Sequence, residues 1–324
     1  RGKFFTTVYF LDGYPDHYYG PLVESTAALK SWDIELFSRG LLIKSPSVTS
    51  PYVLSHTPYQ YKLFDVFKEY SDWCSILGVK GVGTLNSAIV DGKSRQLIQI
   101  SEALHERKYA HIADMIYSRR DVVKLILIAG PSSSGKTSTS KRLALQLKVL
   151  GLNPVIIEMD NYFVDRDKTP RDKDGNFDFE VLEAMDVEFL DQQINQLFSG
   201  EEVEIPKFDF AQGKRVFVGN KIKLQEKDIL IMEGIHGLNP KLTKHIDPVK
   251  IFRVYASALT SLSLDENNNI STSDSRLLRR IVRDGSFRGM TPENTIIRWP
   301  SVRRGELNNI FPFQENADIM FNSA

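Results

Sequence analysis

VKLILIAGPSSSGKTSTSKRLALQL, residues 123–147, combines three local signals in one order. The apolar run at residues 125–129 predicts a short strand buried on both faces, as in a parallel sheet. Gly130, Pro131, Ser132, Ser133, Ser134, Gly135, Lys136 and Thr137 then satisfy G-x-x-x-x-G-K-[ST] at every fixed position. Leu143, Leu147 and Leu150 share one helical face beyond it. Strand, glycine-rich turn and helix in this order form the context in which the motif grips phosphate.

The residue types explain the chemistry. Gly130 and Gly135 open backbone conformations closed to other residues, so the turn can wrap an anion. Its amides and the N-terminus of the following helix point at that anion. Lys136 brings a mobile positive charge to β- and γ-phosphates, and the Thr137 hydroxyl can ligate Mg²⁺. Residues 130–138, Ser138 included, are therefore the expected nucleotide-binding loop, with ATP and Mg²⁺ as cofactors.

The rest of the chain bounds this reading. A length of 324 residues suits two domains. Lys+Arg and Asp+Glu both number 41, so no global charge recruits nucleic acid or a membrane surface. The 42% hydrophobic content supports a sizeable core. Cys74 is the single cysteine, which forbids an internal disulfide and suits a reducing, cytoplasmic setting. There is no apolar run of membrane-spanning length and no secretory signal. The first residue is Arg1 instead of Met, as in a fragment of a longer protein.

N-terminal to the loop, residues 4–10, 41–43 and 52–54 are strand candidates. Residues 12–21 are turn-rich and carry Tyr14, Tyr18 and Tyr19, either a binding surface near His17 or core aromatics. Residues 62–73 and 96–117 show helical periodicity, and residues 79–92 read as a loop. The domain boundary is expected at residues 118–121, giving a smaller α+β domain at 1–119 and a nucleotide-binding domain at 120–324. His105 and His111 are six apart and do not share a helical face, so they make no metal pair. The stretch DGYPDHYYGPLVESTAALKSWDIELF resembles the region that follows the editing domain of threonyl-tRNA synthetases. The paired-histidine motif of that editing domain is absent from this chain, so no editing activity is implied.

C-terminal to the loop, residues 155–159 form a second apolar strand and Asp160 stands at its end. Ligands of open α/β sheets lie outside such strand ends, so Asp160 can accept a proton from an attacking hydroxyl or help hold Mg²⁺. It could also cap a helix. Glu233 ends the strand at 229–232 and is a third candidate metal-side group, beside Thr137 and Asp160. Arg276, Arg280 and Arg283 fall on one helical stripe, with Arg279 alongside and Arg288 just beyond. Such a cluster suits a polyphosphate and its developing charge, or an RNA-facing patch, or ion pairs with Asp274 and Asp284.

Taken in order, DNYF at 160–163, NFDF at 176–179, GEEVEIPKFDF at 200–210, DILIMEG at 228–234 and RRIVRDGSFRG at 279–289 resemble the uridine–cytidine kinase family. The resemblance implies an α/β P-loop NTPase kinase domain, a parallel sheet with helices on both faces. It implies transfer of the ATP γ-phosphate to a hydroxyl of a nucleoside-like small molecule. Lys136, Asp160, Arg280, Arg283 and Arg288 would be catalytic, with Asp160 as base. Asp178 would hold acceptor hydroxyls, and Phe163, Phe177, Phe208 and Phe210 would wall its ring. Two departures touch the acceptor: Gly213 falls where the family reads a pyrimidine with histidine, and Phe208 where it has tyrosine. Losing both polar groups weakens base discrimination, so the reaction class carries over better than the acceptor. The segment EGIHG at 233–237 also resembles phosphoribulokinases, which implies a sugar phosphate as the alternative acceptor. A nucleotide-dependent regulatory module, RNA-linked through the N-terminal region, is the rival without an acceptor. Nothing here fixes an oligomeric state, and a homo-oligomer is compatible with the sequence.

Overall fold

The computed structural model describes residues 7–18, 20–47, 50–54, 58–260, 262–265 and 268–324. They form two compact units, Arg1–Asp91 with Ser261–Ile270, and Gly92–Thr260 with Ser271–Ala324. Among the described residues no helix is long and apolar enough to cross a membrane.

In the first unit, β1 (Val8–Leu11) and β2 (Tyr14–His17) pair as a hairpin. Its two-residue turn is Asp12-Gly13, both with positive φ (48° and 79°), the twist that matches antiparallel strands. The expected strand thus starts at Val8, and its residues 4–6 lie outside the described residues, as does Tyr19 of the tyrosine cluster. A second hairpin joins β3 (Asp33–Phe37) to β4 (Gly40–Lys44). Phe37 is its buried anchor, with the rings of Tyr61, Phe64 and Tyr59 at 4.7, 5.4 and 5.5 Å. Residues 52–54 form a turn end instead of the expected strand.

Helix α1 spans Tyr61–Ile76. The expected loop at 79–92 contains a helix, α2 (Val82–Val90). Gly81 caps it: the Thr84 hydroxyl accepts from the Gly81 amide at 3.2 Å and donates to its carbonyl at 2.8 Å. That local bonding outweighs the helix penalty of Gly83.

The second unit opens with α3 (Ser94–Tyr117), then β5 (Leu125–Ala129), α4 (Lys136–Val149) and β6 (Asn153–Glu158). Helix α5 (Val187–Phe198) and four short strands follow: β7 (Val203–Glu204), β8 (Lys207–Asp209), β9 (Lys214–Val216) and β10 (Lys221–Ile222). The chain closes with β11 (Asp228–Gly234), β12 (Ile251–Ser257), α6 (Thr272–Phe287), α7 (Pro292–Asn309) and β13 (Ile319–Asn322). Five strands make one parallel sheet in the order β13-β12-β5-β11-β6.

Every residue of β5 is buried, because helices cover both faces. Leu125 and Leu127 pack with Leu190, Ile194 and Leu197 of α5. Ile126 and Ile128 pack with Leu143 and Leu147 of α4 and with Ile112 and Ile116 of α3. Alternation along a single strand thus assigns a helix layer to each side. Helix α3 is core to this unit, so the units divide at Asp91 and Gly92, ahead of the 119/120 division expected from sequence.

Candidate active site

The turn after β5 is built around close approaches. A Cβ placed on Gly130 would lie 1.9 Å from the Ala256 carbonyl oxygen, so only glycine lets the loop pass β12. Ser133 has φ 56°, and Gly135, φ 90°, is the N-cap of α4. First-turn amides of α4 have no carbonyl four residues earlier, and the loop aims them outward. The buried hydroxyls of Ser133 and Ser134 have no hydrogen-bond partner among the described residues. Such orphaned donors within a glycine-walled cradle fit a phosphate group.

Around that cradle the charges converge. Lys136 is half-buried, and its Nζ donates to the Pro131 carbonyl at 3.3 Å. Burial holds its ammonium below the usual lysine range, against the opposing pull of Glu233 and Asp160. Thr137 Oγ1 donates to Glu233 Oε1 at 2.5 Å. Burial raises Glu233 above the ordinary carboxylate range, while Lys136 and the Thr137 bond pull it down. In sheet register Glu233 of β11 lies opposite Glu158 at the end of β6.

Asp160 follows two residues later, in a 3₁₀ turn, Met159–Tyr162, not a capping position of an α-helix. The turn is pinned from both sides. The buried Tyr162 hydroxyl donates to Gln193 at 2.8 Å, and Asn161 Oδ1 accepts from the Phe208 amide at 3.1 Å. The Thr137 hydroxyl and the Glu233 and Asp160 carboxylates are hard oxygen donors, the set Mg²⁺ prefers. No group of three or more His, Cys, Asp or Glu side chains among the described residues could hold a metal unaided.

The arginine helix meets the loop directly. Arg280 Nη1 donates to Ser132 Oγ at 2.7 Å, and Arg276 Nη1 to the Ser132 carbonyl at 3.0 Å. Arg276 is almost wholly buried, pairs with Glu306 of α7 and lies 5.5 Å over the Trp299 ring. It is therefore a strut between α6, α7 and the loop. Asp284, fully buried, gathers three of the others: Arg283 at 2.8 Å, Arg280 at 3.3 Å and Arg288 at 4.0 Å. At the start of α6 the Ser271 hydroxyl caps the helix by accepting from the Asp274 amide at 3.4 Å.

Five of the phenylalanine rings form a chain. Phe177 meets Phe179 (6.0 Å), Phe179 meets Phe163 (6.5 Å), Phe163 meets Phe208 (5.8 Å) and Phe208 meets Phe210 (5.1 Å). Phe163 and Phe208 are buried and Phe210 is 55% exposed. Arg288 lies 5.8 Å over the Phe210 ring. Asp178 Oδ1 accepts from the Glu180 amide at 3.0 Å, which fixes the carboxylate locally. Gly213 is left-handed (φ 69°), and a Cβ there would lie 2.7 Å from the Arg166 guanidinium carbon. Arg166 thus fills the space beside Gly213, and its Nη2 donates to the Phe210 carbonyl at 2.6 Å.

Two site groups escape sequence reasoning. Glu180 has a buried Oε2 without a partner among the described residues, and burial pushes its carboxyl up to about 7 despite Arg280 and Lys136. Gly305 of α7 admits it, since a Cβ there would lie 2.1 Å from Glu180 Cβ. Glu306 is the second, with no local signal for its distant partner. Asp284, by contrast, is among the expected ion-pair partners, and its four-residue spacing from Arg280 and Arg288 is readable. His236 is fully buried and pushed down to about 4 by desolvation, so it is a neutral imidazole at pH 7.

With this geometry in hand, residues 125–324 match the family profile described as "Phosphoribulokinase / Uridine kinase family". A protein named uridine kinase from Macrococcus caseolyticus is 32% identical over 197 residues, which covers 60% of this chain and 86% of the relative. One from Staphylococcus carnosus is 30% identical over 197 residues, 60% of this chain and 85% of that one. Among solved structures, a "possible uridine kinase" from Bacillus stearothermophilus aligns with TM-score 0.45 at 20% identity, over 67% of this chain and 98% of the other.

Proposed function

The chain belongs to the phosphoribulokinase/uridine kinase family of P-loop phosphotransferases, and from that premise we infer that it transfers the γ-phosphate of ATP to a hydroxyl of a nucleoside-like acceptor. The observation that carries the reading is the convergence of Lys136, Glu233 and Asp160 on one loop that the Arg280 side chain also touches.

Residues 130–138 grip the triphosphate through backbone amides and Lys136. Thr137, Glu233 and Asp160 would hold Mg²⁺, which when bound neutralises phosphate charge and orients the transferred group. Asp160 takes the proton of the attacking hydroxyl. As the acceptor oxygen bonds to the γ-phosphorus, the bond to the β-γ bridging oxygen breaks and ADP leaves. Arg280, Arg283 and Arg288 stabilise charge on the transferred group. Asp178 hydrogen-bonds acceptor hydroxyls, and Phe163, Phe177, Phe208 and Phe210 line the ring side. Closure of α6 over the loop excludes water, the competing acceptor.

A second reading, a sugar phosphate as acceptor, is favoured by Arg166. Its guanidinium stands at Gly213, on the ring side, where an anionic substituent would be paired. The test is a screen for ADP release over nucleosides and sugar phosphates. Turnover with nucleosides supports the first reading, turnover confined to sugar phosphates supports the second, and ATP binding without any turnover refutes both.

A further inference from the structure

Beside the phosphate loop the second unit encloses a recess of about 150 Å³. Neither Lys136, Asp160 nor Glu233 lines it, so it is separate from the transfer centre. Gly135 and Ser138 of the loop and Arg279 of α6 form one side, and Glu102, His105 and Tyr109 of α3 form the other. Helix α3 ends before residue 125, so this wall comes from outside the region that matches the family.

The wall is held rigidly. Glu106 accepts from Gln146 Nε2 at 2.9 Å and pairs with Arg142, which ties α3 to α4. The Tyr109 and His105 rings pack on Phe321 at 4.6 and 5.4 Å. Across the recess, Arg279 Nη1 donates to the Ser323 carbonyl at 3.2 Å, and its Nη2 would lie 3.4 Å from a Cβ on Gly135. Burial keeps His105 below the usual imidazole range, hence neutral at pH 7.

The chemistry is that of a ring site. A planar guanidinium and two aromatic edges favour a flat heterocycle, and the Glu102 carboxylate at the rim can accept from an exocyclic amine. The space is smaller than the roughly 300–1,000 Å³ of a cleft for a whole ligand, and suits one ring system. A nucleotide whose phosphates lie along residues 130–138 needs a seat for its base next to Gly135 and Ser138. We propose that α3 closes that seat: Glu102, His105 and Tyr109 read the base of the donor nucleoside triphosphate against Arg279. This rests on the reading of the loop as the donor site.

Calorimetry on the full chain with ATP and with inorganic tripolyphosphate separates base from phosphate recognition. Glu102→Trp starts from an exposed position and fills the recess. It is expected to weaken ATP at least about tenfold and leave tripolyphosphate within about twofold. His105→Ala, with an unchanged melting temperature, is expected to alter the ATP-to-GTP affinity ratio while tripolyphosphate again holds. Loss of ATP and tripolyphosphate in parallel, or loss of neither, overturns the proposal. Failure of the unsubstituted protein to bind tripolyphosphate overturns the loop reading beneath it, a result the variants cannot mimic.

Discussion

Thr137 Oγ1 lies 2.5 Å from Glu233 Oε1, a bond that joins the first turn of α4 to the end of β11. The two residues are far apart in sequence, and the sheet order brings them together because β11 pairs directly with β5. In the proposed reaction both oxygens would turn from each other to Mg²⁺. Glu233→Gln keeps the shape and removes the charge. It is expected to lower kcat about 10²-fold or more and to raise the Mg²⁺ concentration needed for half-maximal rate. A magnesium titration of ADP release checks this.

Glu180 makes stability depend on pH. Its carboxyl titrates near 7 in the folded protein against a reference of 4.5, so between those values the folded state binds more protons than the unfolded. Its contribution is complete below the reference value and is lost as pH rises through about 7. Glu180→Gln should therefore stabilise the protein more at pH 8 than at pH 5, by about 1–3 kcal/mol. Urea unfolding of both proteins at the two pH values gives the difference and isolates it from Glu233 and Lys136.

Arg276 and Glu306 are both almost completely buried and pair through Arg276 Nη2 and Glu306 Oε2 at 2.7 Å. Removing one partner leaves a buried charge uncompensated. Glu306→Ala is expected to cost about 3–5 kcal/mol, read as a lower urea midpoint with an unchanged slope. Replacing both residues by apolar ones of similar volume should recover much of that loss.

Asp284 holds three arginines that come from one helix and its cap. Asp284→Asn weakens that grip without removing any guanidinium. Steady-state kinetics should show kcat down roughly 10²-fold, with KM for ATP changed much less. The expected split distinguishes loss of transition-state contacts from loss of donor binding.

The parts legible in sequence are those fixed by local spacing. The wholly apolar β5 and the invariant distances of the phosphate loop specify strand, turn and helix within a few residues. Arg280, Asp284 and Arg288 follow each other at four-residue steps, so their meeting on one helical face is readable. What escapes depends on contacts between distant segments. Arg276 reads as one more lid arginine until Glu306 is found beneath it. Glu180 carries no local signal, and only the approach of Gly305 shows how closely α7 packs on it. Helix α2 hides behind Gly81 and Gly83, because the stabilising Thr84 cap is a hydrogen bond and leaves no hydrophobic period. Helix α3 has an evident helical pattern, but only the buried Ile112 and Ile116 reveal that it belongs with the phosphate loop.

The assignment of Asp160 as the group that takes the acceptor's proton is tested by Asp160→Asn, with acceptor-dependent ADP release and ATP binding measured on the same preparation. The account predicts that ATP still binds within a few-fold while kcat falls about 10²–10⁴-fold. Undiminished turnover in Asp160→Asn would contradict it.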